Sequence, residues 1–317
     1  MAGDVTVDSE LVSRGASLAR RGRRGRERDP NRGWLSAPLL ATPALVVYVG
    51  LVFVPLVLAI YYSLTDKNLL DPQTSYVGTR NYSDLIHDTV FLQSLRTTAV
   101  LTLLIAAAPN VLGLAVAMIL RRDGRLYAIC RTVFFVPQVL SAVVVSFIWQ
   151  AMLTDDGVLN GALHHLGIAP QPWLDKPTHA VIAVALVVTW QFTGFCAVVY
   201  LAALKAIPDE LIEAAEVDGC TGFARFRQVT WPLVAPAVTI CTVLLLIIAF
   251  KLFDYVKVIT DGGPGDATRT VALQIYDVGF TQNEFGYASA MAVVLFAIVA
   301  LVSTVAVLLL RRREVSY

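Results

Sequence analysis

The sequence predicts an all-α integral membrane protein with six transmembrane helices and both termini in the cytoplasm. Three observations carry that prediction. Of 317 residues, 56% are hydrophobic and only 15% charged, whereas soluble domains carry about 25% charged residues. The apolar residues are gathered into long blocks, and about 20 apolar residues in a helix cross the roughly 30 Å hydrocarbon core. A helix also satisfies its own backbone polar groups, which lipid cannot do. Finally, lysine and arginine fall unevenly between alternate connections.

Residues 1–37 form an arginine-rich segment containing Arg14, Arg20, Arg21, Arg23, Arg24, Arg26, Arg28 and Arg32. No apolar stretch with a small-residue cleavage site follows at signal-peptide length, so the segment reads as a retained, disordered cytoplasmic tail near anionic lipid. The apolar blocks are expected near 38–62, 95–120, 128–153, 179–204, 233–258 and 287–310. They make one six-helix membrane domain over 38–310, followed by a short cytoplasmic tail, 311–317. Pro38, Pro43, Pro55 and Pro109 lie inside blocks, as membrane helices tolerate when neighbours re-satisfy the freed carbonyls. Pro208 stops the fourth block from continuing.

With the N-terminus inside, the cytoplasmic side receives the tail arginines and Arg121, Arg122, Arg125 and Arg131 around the second turn. It also receives Lys205, Arg225, Arg227 and the run Arg311 to Arg313. The outer side keeps only Lys67, Arg80, Arg96, Lys176 and Arg269. Excess positive charge in short cytoplasmic loops sets this orientation.

Several function classes are excluded. A formal net charge of +1 provides no field for nucleic acid. Cys130, Cys196, Cys220 and Cys241 are far apart, without a CxxC pair or zinc spacing. The chain has no G-x-x-x-x-G-K-[ST] loop to bind ATP, and Gly262, Gly263, Pro264 and Gly265 lack the lysine that such a loop requires. His87, His164, His165 and His179 are expected in or near outer loops, as surface residues. No catalytic constellation and no metal site are expected, so the chain is not read as an enzyme.

One cytoplasmic connection, 205–232, is too structured for a mere linker. Pro208 suits a helix start, with Asp209 and Glu210 at its positive end. A helix-forming run follows to Val217, and Gly219 offers a C-terminal break. A second amphipathic stretch, Phe223 to Val229, leads to Pro232. Two short helices with a bend can lay an apolar face into a groove on a cytoplasmic partner. Glu213, Ala214 and Ala215, then Gly219, then Val229 to Pro232, resemble the EAA loop of ABC importer permeases. Phe253 and Asp254, the Thr260 to Pro264 run, Tyr276 and the Gly286 to Ala290 run resemble the permeases for sugars and glycerol phosphate. The resemblance covers about 38–310. It implies the six-transmembrane-helix ABC importer permease fold, in the cell membrane of a prokaryote. It further implies a coupling helix contacting an ATPase through Glu213, Ala214, Ala215, Asp218 and Gly219. The implied partners are a second homologous permease subunit, two cytoplasmic ATP-binding subunits that hold ATP and Mg, and an extracytoplasmic solute-binding protein. The implied substrate is sugar-like, with glycerol phosphate as the runner-up.

Charged residues inside a span usually face the bundle interior or water. The fifth block holds Lys251, Asp254 and Lys257, whose three-residue spacing predicts one shared helical face. They are candidates either for a structural ion pair or for the solute pathway, and Lys251 stands where neutral amides are frequent in the resembled family. An ion-coupled secondary transporter using Lys251 and Asp254 is the rival reading. Gln138 and Ser141 in the third block, and Trp190, Gln191 and Phe195 in the fourth, supply the amides, hydroxyl and aromatic faces that suit a sugar.

Overall fold

The computed structural model describes residues 42–312. The tail 1–37, the start of the first block at 38–41 and the last residues 313–317 lie outside the described residues. Among the described residues the chain forms twelve helices, α1 to α12 in order. Six helical stretches among the described residues are long and apolar enough to cross a membrane. The chain divides after Leu58, and the described residues before that point all belong to the exposed, apolar first part of α1, Thr42–Ser63.

Beyond it, α2 (Arg80–His87) is tied by the Asn81 amide, which donates to the carbonyls of Ser63 and Thr65 at 2.8 and 2.9 Å. Helix α3 (Thr89–Ile119) begins six residues before the expected block. Asp88 explains the early start, because its carboxylate accepts from the amides of Val90 and Phe91, which a helix start leaves unpaired. At its other end the Arg131 guanidinium donates to the carbonyls of Leu120 and Arg122.

The third block is not one helix. It divides into α4 (Arg125–Val139) and α5 (Ala142–Leu153), with Leu140 and Ser141 extended between them. Pro137 lies inside the last turn of α4, and Ser141 caps α5 by accepting from the Val144 amide at 3.3 Å. A further helix, α6 (Val158–His165), extends α5 into what was expected to be an outer loop; together they form the third candidate span, Ala142–His165. His164 and His165 lie in the last turn of α6, next to the connection that follows. Asn160 holds this region: its amide donates to the carbonyls of Thr154, Asp155 and Gln171, and its oxygen accepts from the Gln171 amide and the Trp173 indole.

Helix α7 (Pro177–Lys205) runs through the centre of the bundle and matches the fourth block closely. Its buried face includes Val184, Val187, Val188, Cys196 and Tyr200, and it packs with α3 and α9 in one core. Small residues permit close approach where helices meet in lipid. A Cβ at Gly194 would collide with the Phe134 carbonyl of α4, and one at Gly113 of α3 would collide with the Cys196 side chain.

After α8 (Asp209–Val217), α9 runs from Gly222 to Phe250, including a wide π-type turn at Phe226–Thr230. The stretch Phe223 to Val229 is thus the beginning of the fifth span and not a separate helix. That span ends eight residues early. Lys251 terminates α9, and α10 (Asp254–Ile259) starts anew. The carbonyl of Leu252, freed by this break, accepts from the buried Thr270 hydroxyl at 2.7 Å, and Thr270 also caps α11 (Val271–Tyr276). Helix α12 (Phe285–Arg311) completes the bundle. Gly286 at its start lies against the Thr65–Lys67 backbone and donates to the Lys67 carbonyl at 2.8 Å.

Candidate functional site

The break between α9 and α10 opens a cleft of about 260 Å³. Its lining includes Ala142, Phe192, Ile248, Lys251, Phe253, Asp254 and Tyr255. The expectation that Lys251, Asp254 and Lys257 share one helical face is corrected, because α9 ends between the first two. Lys251 lies at the C-terminal end of α9 and Asp254 in the first turn of α10. Each charge therefore lies beside a helix end of opposite partial charge. Neither forms an ion pair among the described residues, whereas Lys257 pairs with Asp261 at 2.7 Å and lies 4.0 Å from Asp277. The cleft thus presents one cation and one carboxylate between aromatic rings.

The other pathway candidates separate. Ser141 caps α5 beside Ala142 at the cleft wall. Gln191 is 3% exposed beneath the cleft; it donates to the Leu140 carbonyl at 3.0 Å and accepts from the Tyr255 hydroxyl at 2.8 Å. Trp190, its chain neighbour, turns to a different groove with Pro137, Thr189 and Thr193, and meets Trp149 edge to face at 5.5 Å. Phe195 packs on the core, and the Gln138 side-chain oxygen is buried without a hydrogen-bond partner. Sequence reasoning did not single out Phe192 and Tyr255. Phe192 adjoins a named candidate, but only the fold reveals which of two neighbouring side chains faces the cleft.

The second feature is the bend after α8. Gly219 has φ +77°, the left-handed conformation that glycine adopts without penalty. The amide of Cys220 donates to the Ala215 carbonyl at 2.8 Å and that of Gly219 to Glu216 at 3.0 Å, so the last carbonyls of α8 are satisfied. Glu213, Ala214 and Asp218 are exposed, while Ala215 is buried against its own chain. Arg225 pairs with Glu216 across the bend. Val217 and Phe223 stand out at 89% and 76% exposure, an apolar tip flanked by carboxylates. Nearby, Lys205 donates to Asp123 at 2.6 Å, and this hydrogen bond holds the Asp123 carboxyl below its ordinary range.

Among the described residues no three His, Cys, Asp or Glu side chains gather as a metal site would require.

Six candidate spans among the described residues, an open cleft beside two helix breaks and an exposed elbow together mark a multi-span membrane protein. Residues 109–315 match the family described as binding-protein-dependent transport system inner membrane component, and the chain belongs to that family. It is accordingly a multi-pass permease component of a transport system. It is 33% identical to the probable starch degradation products transport system permease protein AmyD of Thermoanaerobacterium thermosulfurigenes, over 87% of this chain and 94% of that one. It is 34% identical to the diacetylchitobiose uptake system permease protein NgcF of Streptomyces coelicolor, over 93% and 88%. The trehalose/maltose transport system permease protein MalF of Thermococcus litoralis is 30% identical, over 82% and 88%. Among solved structures, a chain of a bacterial ABC transporter involved in importing the acidic polysaccharide alginate superposes with a TM-score of 0.77. At 21% identity, covering 90% of this chain and 98% of that one, it shares the fold.

Proposed function

We propose that the chain is one permease of an ATP-driven importer for an uncharged saccharide. It would work with a second homologous permease, two cytoplasmic ATP-binding subunits holding ATP and Mg, and an extracytoplasmic binding protein. The observation that carries the substrate class is the cleft. Lys251 and Asp254 balance each other's charge within a wall of Phe192, Phe253 and Tyr255. Aromatic faces match the apolar face of a sugar ring, and paired donors and acceptors match its hydroxyls. A phosphorylated polyol would bring a charge that Asp254 opposes, so glycerol phosphate fits less well. The names of the sugar-transport relatives point the same way.

The elbow would be the contact with the ATP-binding subunit, through Glu213, Ala214, Asp218 and Gly219, with Val217 and Phe223 as its apolar anchors. Ala215 would serve by packing the elbow onto its own chain. Both termini would be cytoplasmic, with the arginine-rich segment 1–37 near anionic lipid. Nucleotide binding would favour one access state through contacts made at the elbow, as linkage requires.

Co-purification from native membranes tests this reading. The wild type should bring down an ATP-binding subunit, and Glu213→Ala combined with Gly219→Pro should lose it or uncouple ATP hydrolysis from uptake. Proline can neither adopt the φ of +77° nor donate to Glu216. Uptake that persists without the ATP-binding subunit and collapses when the ion gradient is dissipated would refute the proposal.

A further inference from the structure

Gln191 stands apart from the residues that line the cleft. Its amide is buried, and both ends are engaged within the chain. The nitrogen donates to the Leu140 carbonyl at 3.0 Å, and the oxygen accepts from the Tyr255 hydroxyl at 2.8 Å. Leu140 lies in the extended break between α4 and α5, where the helix can no longer satisfy its carbonyl. Tyr255 lies on α10, just past the other break. One side chain on the continuous helix α7 therefore ties the two interrupted elements together.

The neighbours of these three residues line the cleft. Ala142 follows the Leu140–Ser141 break, Phe192 follows Gln191, and Tyr255 is itself part of the lining. We infer that Gln191 is a positioning residue: by bracketing Leu140 to Tyr255 it sets the spacing of the cleft walls, and hence solute affinity, without contacting the solute. This rests on the cleft being the solute site proposed above. A primary amide suits the task because it donates and accepts from one neutral end. Ionised glutamate at this position would repel the Leu140 carbonyl, and leucine would pair with neither partner.

The test is equilibrium binding of maltose, and separately of diacetylchitobiose, to the purified permease–ATPase complex with no binding protein present. Wild type would be compared with Gln191→Leu, Tyr255→Phe and the double variant, each first checked for normal association with the ATP-binding subunit. Tyr255→Phe keeps the ring and serves as the variant that folds. Each single change should raise the Kd about threefold to tenfold, the size of one net hydrogen bond. The double variant should bind no more weakly than Gln191→Leu alone, because both changes break the same bracket. Weakening by Gln191→Leu but not by Tyr255→Phe would mean direct solute contact and would overturn the role. So would losses that add, or an unchanged Kd in assembled variants. A wild-type complex that assembles but binds no sugar would instead remove the substrate reading and this role with it.

Discussion

Gln191 and Tyr255 form a buried hydrogen bond of 2.8 Å, although they are 64 residues apart and lie on different helices. The bond joins the fourth membrane span to the short helix that follows the broken fifth. It also predicts a distinctive pattern of stability. Gln191→Leu leaves the Tyr255 hydroxyl buried without an acceptor, a loss of about 1–3 kcal/mol. Adding Tyr255→Phe removes the orphaned group, so the double variant should recover part of the loss. Thermal unfolding in detergent measures this, and a double variant as unstable as the sum of the singles would contradict it.

Gly194 should resist substitution for a purely steric reason. A methyl group there meets the Phe134 backbone carbonyl, which cannot rotate away. Gly194→Ala should therefore cost about 1–3 kcal/mol through forced separation of α4 and α7. Gly161 on α6 has open space around its Cβ position, and Gly161→Ala should be neutral or stabilise by up to about 1 kcal/mol. Melting temperatures that rise in both variants would show that helix propensity, not close approach, governs these sites.

At the elbow, space is plentiful and only backbone conformation constrains Gly219. Gly219→Ala should cost about 1–2 kcal/mol locally, whereas Gly219→Asn should cost less, since asparagine tolerates this conformation at helix ends. Limited proteolysis across 205–232 should reveal faster cleavage in the alanine variant than in the asparagine one. Equal rates in both would argue against a conformational origin.

The pair of Lys205 and Asp123 gives a pH signature. The Asp123 carboxyl is lowered by its hydrogen bond to Lys205. Such a group contributes stability above the ordinary carboxylate value of about 3.9, and loses it as pH falls through the lowered folded value. The melting difference between wild type and Asp123→Asn should thus be constant from neutral pH down to about 5 and close at lower pH. Because Asp123 is exposed, salt should shrink the difference throughout. A difference that grows on acidification would invert the assignment.

Much of the fold was legible in the sequence because its signals are local. Apolar blocks long enough to cross lipid stand out against a sparse charge background, and the observed spans Pro177–Lys205 and Phe285–Arg311 lie within two residues of expectation. Gly219 after Val217 marked the bend, since one residue's φ decides it. The fate of Lys251 and Asp254 was not legible. Three-residue spacing implies a shared face only if the helix continues, and here it ends at Phe250. Trp190 and Gln191 were grouped by composition, yet adjacent positions on a helix point to different surroundings, a groove for one and a buried bracket for the other.

By itself, then, the sequence determined a multi-span helical membrane protein with an amphipathic elbow between its fourth and fifth spans. Hydrophobic run length and turn chemistry act on neighbouring residues and need no knowledge of the rest of the chain. The tertiary structure decided where the spans break and what lines the cleft. A freed carbonyl in a low-dielectric interior needs a donor. Leu140 finds one in Gln191, and Leu252 finds one in Thr270, each remote along the chain and adjacent only after the helices have packed.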